Sequence, residues 1–161
     1  MTGQAYYDLN APTDSVAYAQ LKQEINVKGA EYMFVQAAAT IARGDVCVVS
    51  NTGTIVPMTT GNAGADPQDV VIPQFAMASG EYGWAPVGPF HLREDNATSF
   101  VVNTLTGSAA DTKLYTHATA GLVSGTATTL IRGLSLTAAN ASGGNALRAC
   151  VATSRLGVNQ Q

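Results

Sequence analysis

Charge is scarce in this chain. Lys, Arg, Asp and Glu make up 12% of its residues, against about 25% in an average soluble domain. The eight basic residues are scattered and the net charge is −3. No basic stripe is available to neutralise phosphates, so direct nucleic-acid binding is not expected. Cysteine is scarce too. Cys47 and Cys150 stand alone in the apolar runs VCVV and RACVA, and two cysteines make no disulfide framework. Buried free thiols are the expectation, with a Cys47–Cys150 bridge as the alternative should their strands be neighbours. His91 and His117 are the only histidines, and neither has ligands at metal-binding spacing. No apolar run is long enough to span a bilayer. The start, MTGQAYYDLN, has neither the basic opening nor the apolar centre of a signal peptide. A cytoplasmic site of synthesis follows as an expectation, with no membrane association.

What fills the space is apolar and small. Apolar residues reach 46%, and Ala, Thr, Gly, Ser and Val replace the usual charge. A disordered chain is excluded by that apolar content. The length suits one domain with an arm or small insertion. A surface so poor in charge suits a protein covered by other chains, so self-association is expected.

The densest apolar stretch is VVIPQFAMASGEYGWAPVGPF, Val70 to Phe90, and it holds the only Trp. β-Branched and aromatic residues bounded by small turn residues favour strand. Pro73, Pro86 and Pro89 disfavour helix. The stretch reads as a hairpin turning at Ala78-Ser79-Gly80, with Trp84 packed inside.

Around it, the chain divides into an arm (1–29), a β-domain (30–155) and a polar tail (156–161). In the arm, Tyr6, Tyr7, Leu9, Val16 and Tyr18 are anchors spread through polar residues. Thr13-Asp14-Ser15 could cap a short helix running to Glu24; the alternative is an extended arm that orders on a partner. From Ala30 the β-pattern begins. Tyr32 and Phe34 alternate with Met33, Val35 and Ala37, which describes a strand covered on both faces. Asn51-Thr52-Gly53 marks a hairpin between VCVV and TIVPM. A second hairpin is expected around His117-Ala118-Thr119-Ala120. VCVVSNTGTIV and LYTHATAGLVS echo each other, which either pseudo-symmetric halves or common turn chemistry explains. Leu130, Leu134 and Leu136 share a phase, and Ala146 to Ala152 is the expected last strand. Short strands with Gly-rich turns predict an all-β fold, a barrel or sandwich of short antiparallel strands with an extended N-terminal arm.

Catalytic signatures are missing. There is no G-x-S-x-G elbow, no phosphate loop at GNAGAD and no dinucleotide fingerprint at GEYG. Glu94 and Asp95 are adjacent, so a strand would point them to opposite faces. No enzyme activity, cofactor or metal is expected. Arg43-Gly44-Asp45 spells an integrin-type tripeptide, but turn chemistry accounts for it. Asn96-Ala97-Thr98 and Asn140-Ala141-Ser142 match a glycosylation sequon, without meaning in a protein that is not secreted.

The order EYMFVQAAATIARGDVCVV, NTG, FAMASGEYGWAPVGPF, LYTHATAGLVSG and IRGLSL resembles the small head decoration, or cement, proteins of tailed bacteriophages. The resemblance covers Glu31 to Val151 and is most specific at Ala76 to Trp84. It implies a β-barrel or sandwich on the outside of the head, clamping neighbouring copies of the major capsid protein. The chain would then be made in the host cytoplasm and end on the virion exterior. Tyr6, Tyr7, Leu9, Val16 and Tyr18 are the candidate capsid contacts. A tail or head–tail connector subunit is the structural alternative. A glycan-binding module using Tyr82 and Trp84 as a stacking platform is the alternative from another class.

Overall fold

A computed structural model of the protein describes residues 9, 11–13, 20–63, 68–91, 100–105, 113–125, 129–138 and 145–158. The described residues contain strands and no helix. In chain order the strands are β1 (Glu24–Val27), β2 (Ala30–Ala37), β3 (Cys47–Val49), β4 (Thr54–Pro57), β5 (Gln68–Val71) and β6 (Tyr82–Pro86). They continue with β7 (Val101–Thr104), β8 (Leu114–Thr116), β9 (Val123–Ser124), β10 (Leu130–Leu136) and β11 (Ala146–Val158). The expected all-β class is the observed one. The pairing is mixed, however, because β2–β4 and β7–β9 are parallel.

The strands form two closed groups. In the first, β6 pairs β2, β2 pairs β4, β4 pairs β3 and β3 pairs β5. The Ile72 amide donates to the Pro86 carbonyl at 3.0 Å and closes the ring. In the second, β11 pairs β7, β7 pairs β9, β9 pairs β8, β8 pairs β10 and β10 returns to β11. The two barrels share one connection plan, in which β2 to β6 correspond to β7 to β11. The match reaches single bonds. Ala37 pairs with Ile55, and the Ala38 amide donates to the Ile55 carbonyl; Thr104 pairs with Val123, and the Leu105 amide donates to the Val123 carbonyl. Register pairs Cys47 and Leu114, Val71 and Ile131, and Ala85 and Cys150 as counterparts, and all six are buried. The echo between the two hairpin sequences is thus the visible part of a repeat that spans both halves.

Alternation explains the cores. Met33, Val35 and Ala37 point into the first barrel with Cys47, Val49, Ile55, Val71, Ala85 and Val87, and Ile41, Phe75 and Met77 join them. Tyr32, Phe34, Val48, Val70 and Trp84 point outward from the same strands. They join the second core, which includes Phe100, Val102, Leu114, Val123, Ile131, Leu134, Leu136 and Cys150. β2 is covered on both faces, as its sequence suggested.

Several expectations change. Val70 to Phe90 is not a paired hairpin. β5 pairs β3 and β11, whereas β6 pairs β2. The residues between them leave the ladder because Phe75 and Met77 turn into the first core, where Met77 bridges Ile41. Glu24–Val27 is a strand on β2, so sheet begins within the segment assigned to the arm. The last strand runs on to Val158, because Leu156 and Val158 are buried. The shared phase of Leu130, Leu134 and Leu136 is broken at Gly133, which has φ +77°. Thr153 to Leu156 lie opposite Gly133 alone in the β10–β11 register. This bulge puts Ile131, rather than Leu130, in the core with Leu134. Cys47 and Cys150 lie in different cores and are free.

Candidate interaction surface

Among the described residues, Thr13 ties the N-terminal segment to β6. The Thr13 amide donates to the Tyr82 carbonyl and the Tyr82 amide to the Thr13 carbonyl, each at 2.6 Å. Thr13 thereby covers the edge of β6 away from β2. Leu9 is half-buried against the core rather than free. Tyr6, Tyr7, Val16 and Tyr18 lie outside the described residues.

Beneath this segment is an aromatic row. Tyr82 stacks on Phe34, with centroids 6.0 Å apart and planes at 11°. Phe34 meets Trp84 at 5.2 Å, Tyr32 meets Phe100 at 6.2 Å and Phe90 meets Phe100 at 4.4 Å. The row ties the outer face of the first barrel to the core of the second. Trp84 is 4% exposed. It has no open face for a sugar, while Tyr82 of the same strand is partly exposed.

A polar joint lies on another side. Asp45 is 7% exposed. Its Oδ2 accepts from the Ala42 amide at 2.9 Å and its Oδ1 from Asn103 Nδ2 at 3.1 Å. Gly121 approaches so closely that a Cβ there would lie 2.5 Å from the Asp45 carboxyl carbon. The Val46 amide donates to the Gly121 carbonyl, the Gly121 amide to the Met58 carbonyl and the Asn103 amide to the Gly44 carbonyl. These bonds join the β2–β3 loop to β7 and the β8–β9 turn. The Arg43-Gly44-Asp45 tripeptide therefore offers no free carboxylate, because Asp45 is committed to this joint.

A third feature is an ion network. Arg155 reaches Glu24 at 2.6 Å and Asp69 at 3.2 Å, and Lys22 lies 3.8 Å from Asp69. It connects the segment leading into β1 with β5 and β11. The hydrogen bond that Arg155 donates to Glu24 holds its guanidinium more firmly protonated than usual; burial opposes this, and the hydrogen bond and charge of Asp69 add to it. Sequence reasoning passed over these four residues. Their positions along the chain are too far apart for any local pattern to link them.

Burial pushes both thiols up: Cys47 well above its ordinary value, with Asp45 adding to the effect, and Cys150 to about 12. Protonated thiols of this kind are poor nucleophiles. Among the described residues, no three of His, Cys, Asp and Glu converge on a common point. His91 is exposed, and His117 Nδ1 accepts from the Thr119 amide at 3.0 Å. Glu94, Asp95, Asn96 and Asn140 lie outside the described residues. No helix among them is long and apolar enough to cross a membrane. Comparison with protein families, with curated proteins and with solved structures found no match.

Proposed function

We propose that this chain is a virion structural protein that decorates the outside of a tailed-phage head and stabilises it by clamping neighbouring copies of the major capsid protein. The observation that carries the reading is the resemblance centred on Ala76 to Trp84. The body of the protein supports it. The two barrels are held by a shared core, a polar joint and a shared sheet. Such a body transmits load between two points of attachment. Thr13 of the N-terminal segment bridges Tyr82 of β6, and Tyr6, Tyr7, Leu9, Val16 and Tyr18 of that segment are the candidate contacts.

A clamp of this kind works by valency. Once one contact forms, the next is effectively intramolecular, so modest contacts add up to tight binding. A protein that binds only the assembled shell stabilises that shell by mass action. Neither nucleic acid, membrane nor cofactor enters this account. Particles assembled without the chain should release their DNA at a lower temperature than complete particles. Dye access to DNA during a heating ramp measures this, and equal release temperatures would refute the reading.

A further inference from the structure

The repeat matches outward positions of one barrel with counterparts in the other. In the first barrel Phe34 pairs with Trp84, and Gln36 with Tyr82, across β2 and β6. In the second, Val101 pairs with Ala149, and Asn103 with Leu147, across β7 and β11. Cross-strand neighbours project to the same face. Val102, Thr104, Cys150 and Ala152 alternate with them and are buried, so Val101, Asn103, Leu147 and Ala149 point outward. Val151 continues this face along β11, with Ser135 of β10 opposite it.

The two faces differ in cover. Phe34 and Trp84 are 3% and 4% exposed, because they pack into the core they share with the second barrel. Val101, Ala149 and Val151 are only half-buried. Leu147, 44% exposed, is the one exposed large apolar side chain among the described residues. A sheet face that meets water carries polar residues at its outward positions. This one carries four apolar side chains with Asn103 and Ser135, and no charged one. Leu147 is also held in place. A Cβ on Gly44 would lie 2.6 Å from its Cδ2, so the leucine rests on bare backbone and has little freedom to lose on docking.

We propose that a second copy of this chain covers this face. In the first barrel the counterpart positions are covered by a barrel of the same plan, and a second copy supplies one. The first barrel's face is already occupied within the chain, so each molecule has one such face left. Two copies therefore meet with the same patch on both, and the contact closes as a two-fold dimer. An uncharged patch brings no like charges together when it meets itself. The proposal stands apart from the decoration reading.

Sedimentation equilibrium of the full-length chain across a series of concentrations tests it. A reversible monomer–dimer equilibrium is expected. Leu147→Glu and Leu147→Lys should each weaken the dimer by about tenfold or more. Neither should lower the melting temperature of the monomer, because Leu147 is exposed in the single chain. Mixed in equal amounts, the two variants should regain a dimer, since each patch then meets the opposite charge. Thr52→Glu, at an exposed turn of the first barrel, should leave the dimer unchanged. If a charged variant does not fold, Leu147→Ser should still weaken the dimer. The proposal is overturned by a chain that stays monomeric, by an assembly other than a dimer, or by a dimer that both Leu147 variants keep within about twofold. A mixture that stays monomeric, or equal weakening by Thr52→Glu, would overturn it as well.

Discussion

Trp84 sits against Phe34 at the junction of the two barrels, and its burial assigns it to structure rather than recognition. Trp84→Ala should cost about 3–5 kcal/mol of stability, the range for truncating a buried aromatic. Denaturant unfolding followed by circular dichroism measures it, and an unchanged midpoint would return Trp84 to the surface. The thiols make a second prediction. Folded Cys150 titrates near 12 and folded Cys47 also above the ordinary value of 9.0. An unfolded thiol loses its proton first, so the unfolded state binds fewer protons above pH 9 and stability falls as pH rises. The contribution is intact below the ordinary thiol value and is lost toward the folded one. Each thiol should remove about 1.4 kcal/mol per pH unit in that window. Denaturant midpoints at increasing alkalinity should show this slope, and Cys47→Ala with Cys150→Ala should flatten it.

β11 carries more of the fold than any other strand. Its first part closes the second barrel on β7, its middle pairs β10, and its last residues pair both β10 and β5. Leu156 is buried there, and its amide donates to the Val87 carbonyl at 2.8 Å. Leu156→Ala should destabilise by about 2–5 kcal/mol, the usual cost of a large cavity in a core. A loss below about 0.5 kcal/mol, typical of surface sites, would show that the extension is not part of the core. This extension also marks where sequence reading stopped. The hairpin through Asn51-Thr52-Gly53 was legible, because Gly53 supplies φ +84° at a tight turn. The two-sided burial of β2 was legible from its alternation. Leu156-Gly157-Val158 was not, because two apolar residues among Ser, Arg, Gly and Asn carry little period-2 signal, and their partners lie far back at Gln68 and Asp69. The Val70–Phe90 hairpin failed for a related reason. Apolar density shows that a segment is buried, but not which strand it lies beside.

The molecule as a body is one plan used twice, with the second barrel packed on the outer face of the first. Few residues are shared between counterparts. Cys47 matches Leu114 and Ala85 matches Cys150 in place but not in identity. What repeats is the alternation of buried positions and the connection of strands, and a short hairpin echo was all that reached the sequence. The candidate contacts were legible only as aromatic spacing. Leu9 proved half-buried, and the Arg155 network arises from strands that no local pattern joins.

The place of β11 has a consequence for synthesis. Gln68 and Asp69 of β5 find their outer partners only at Gly157 and Val158, near the end of the described chain. Until those residues leave the ribosome, that edge of the first barrel stays unpaired. An unpaired edge recruits strands from other chains, and domains emerging N-terminal first are exposed to that hazard while synthesis continues. The final strand therefore acts as a seal. Translation that stops short of Arg155 leaves a first barrel with an open, aggregation-prone flank.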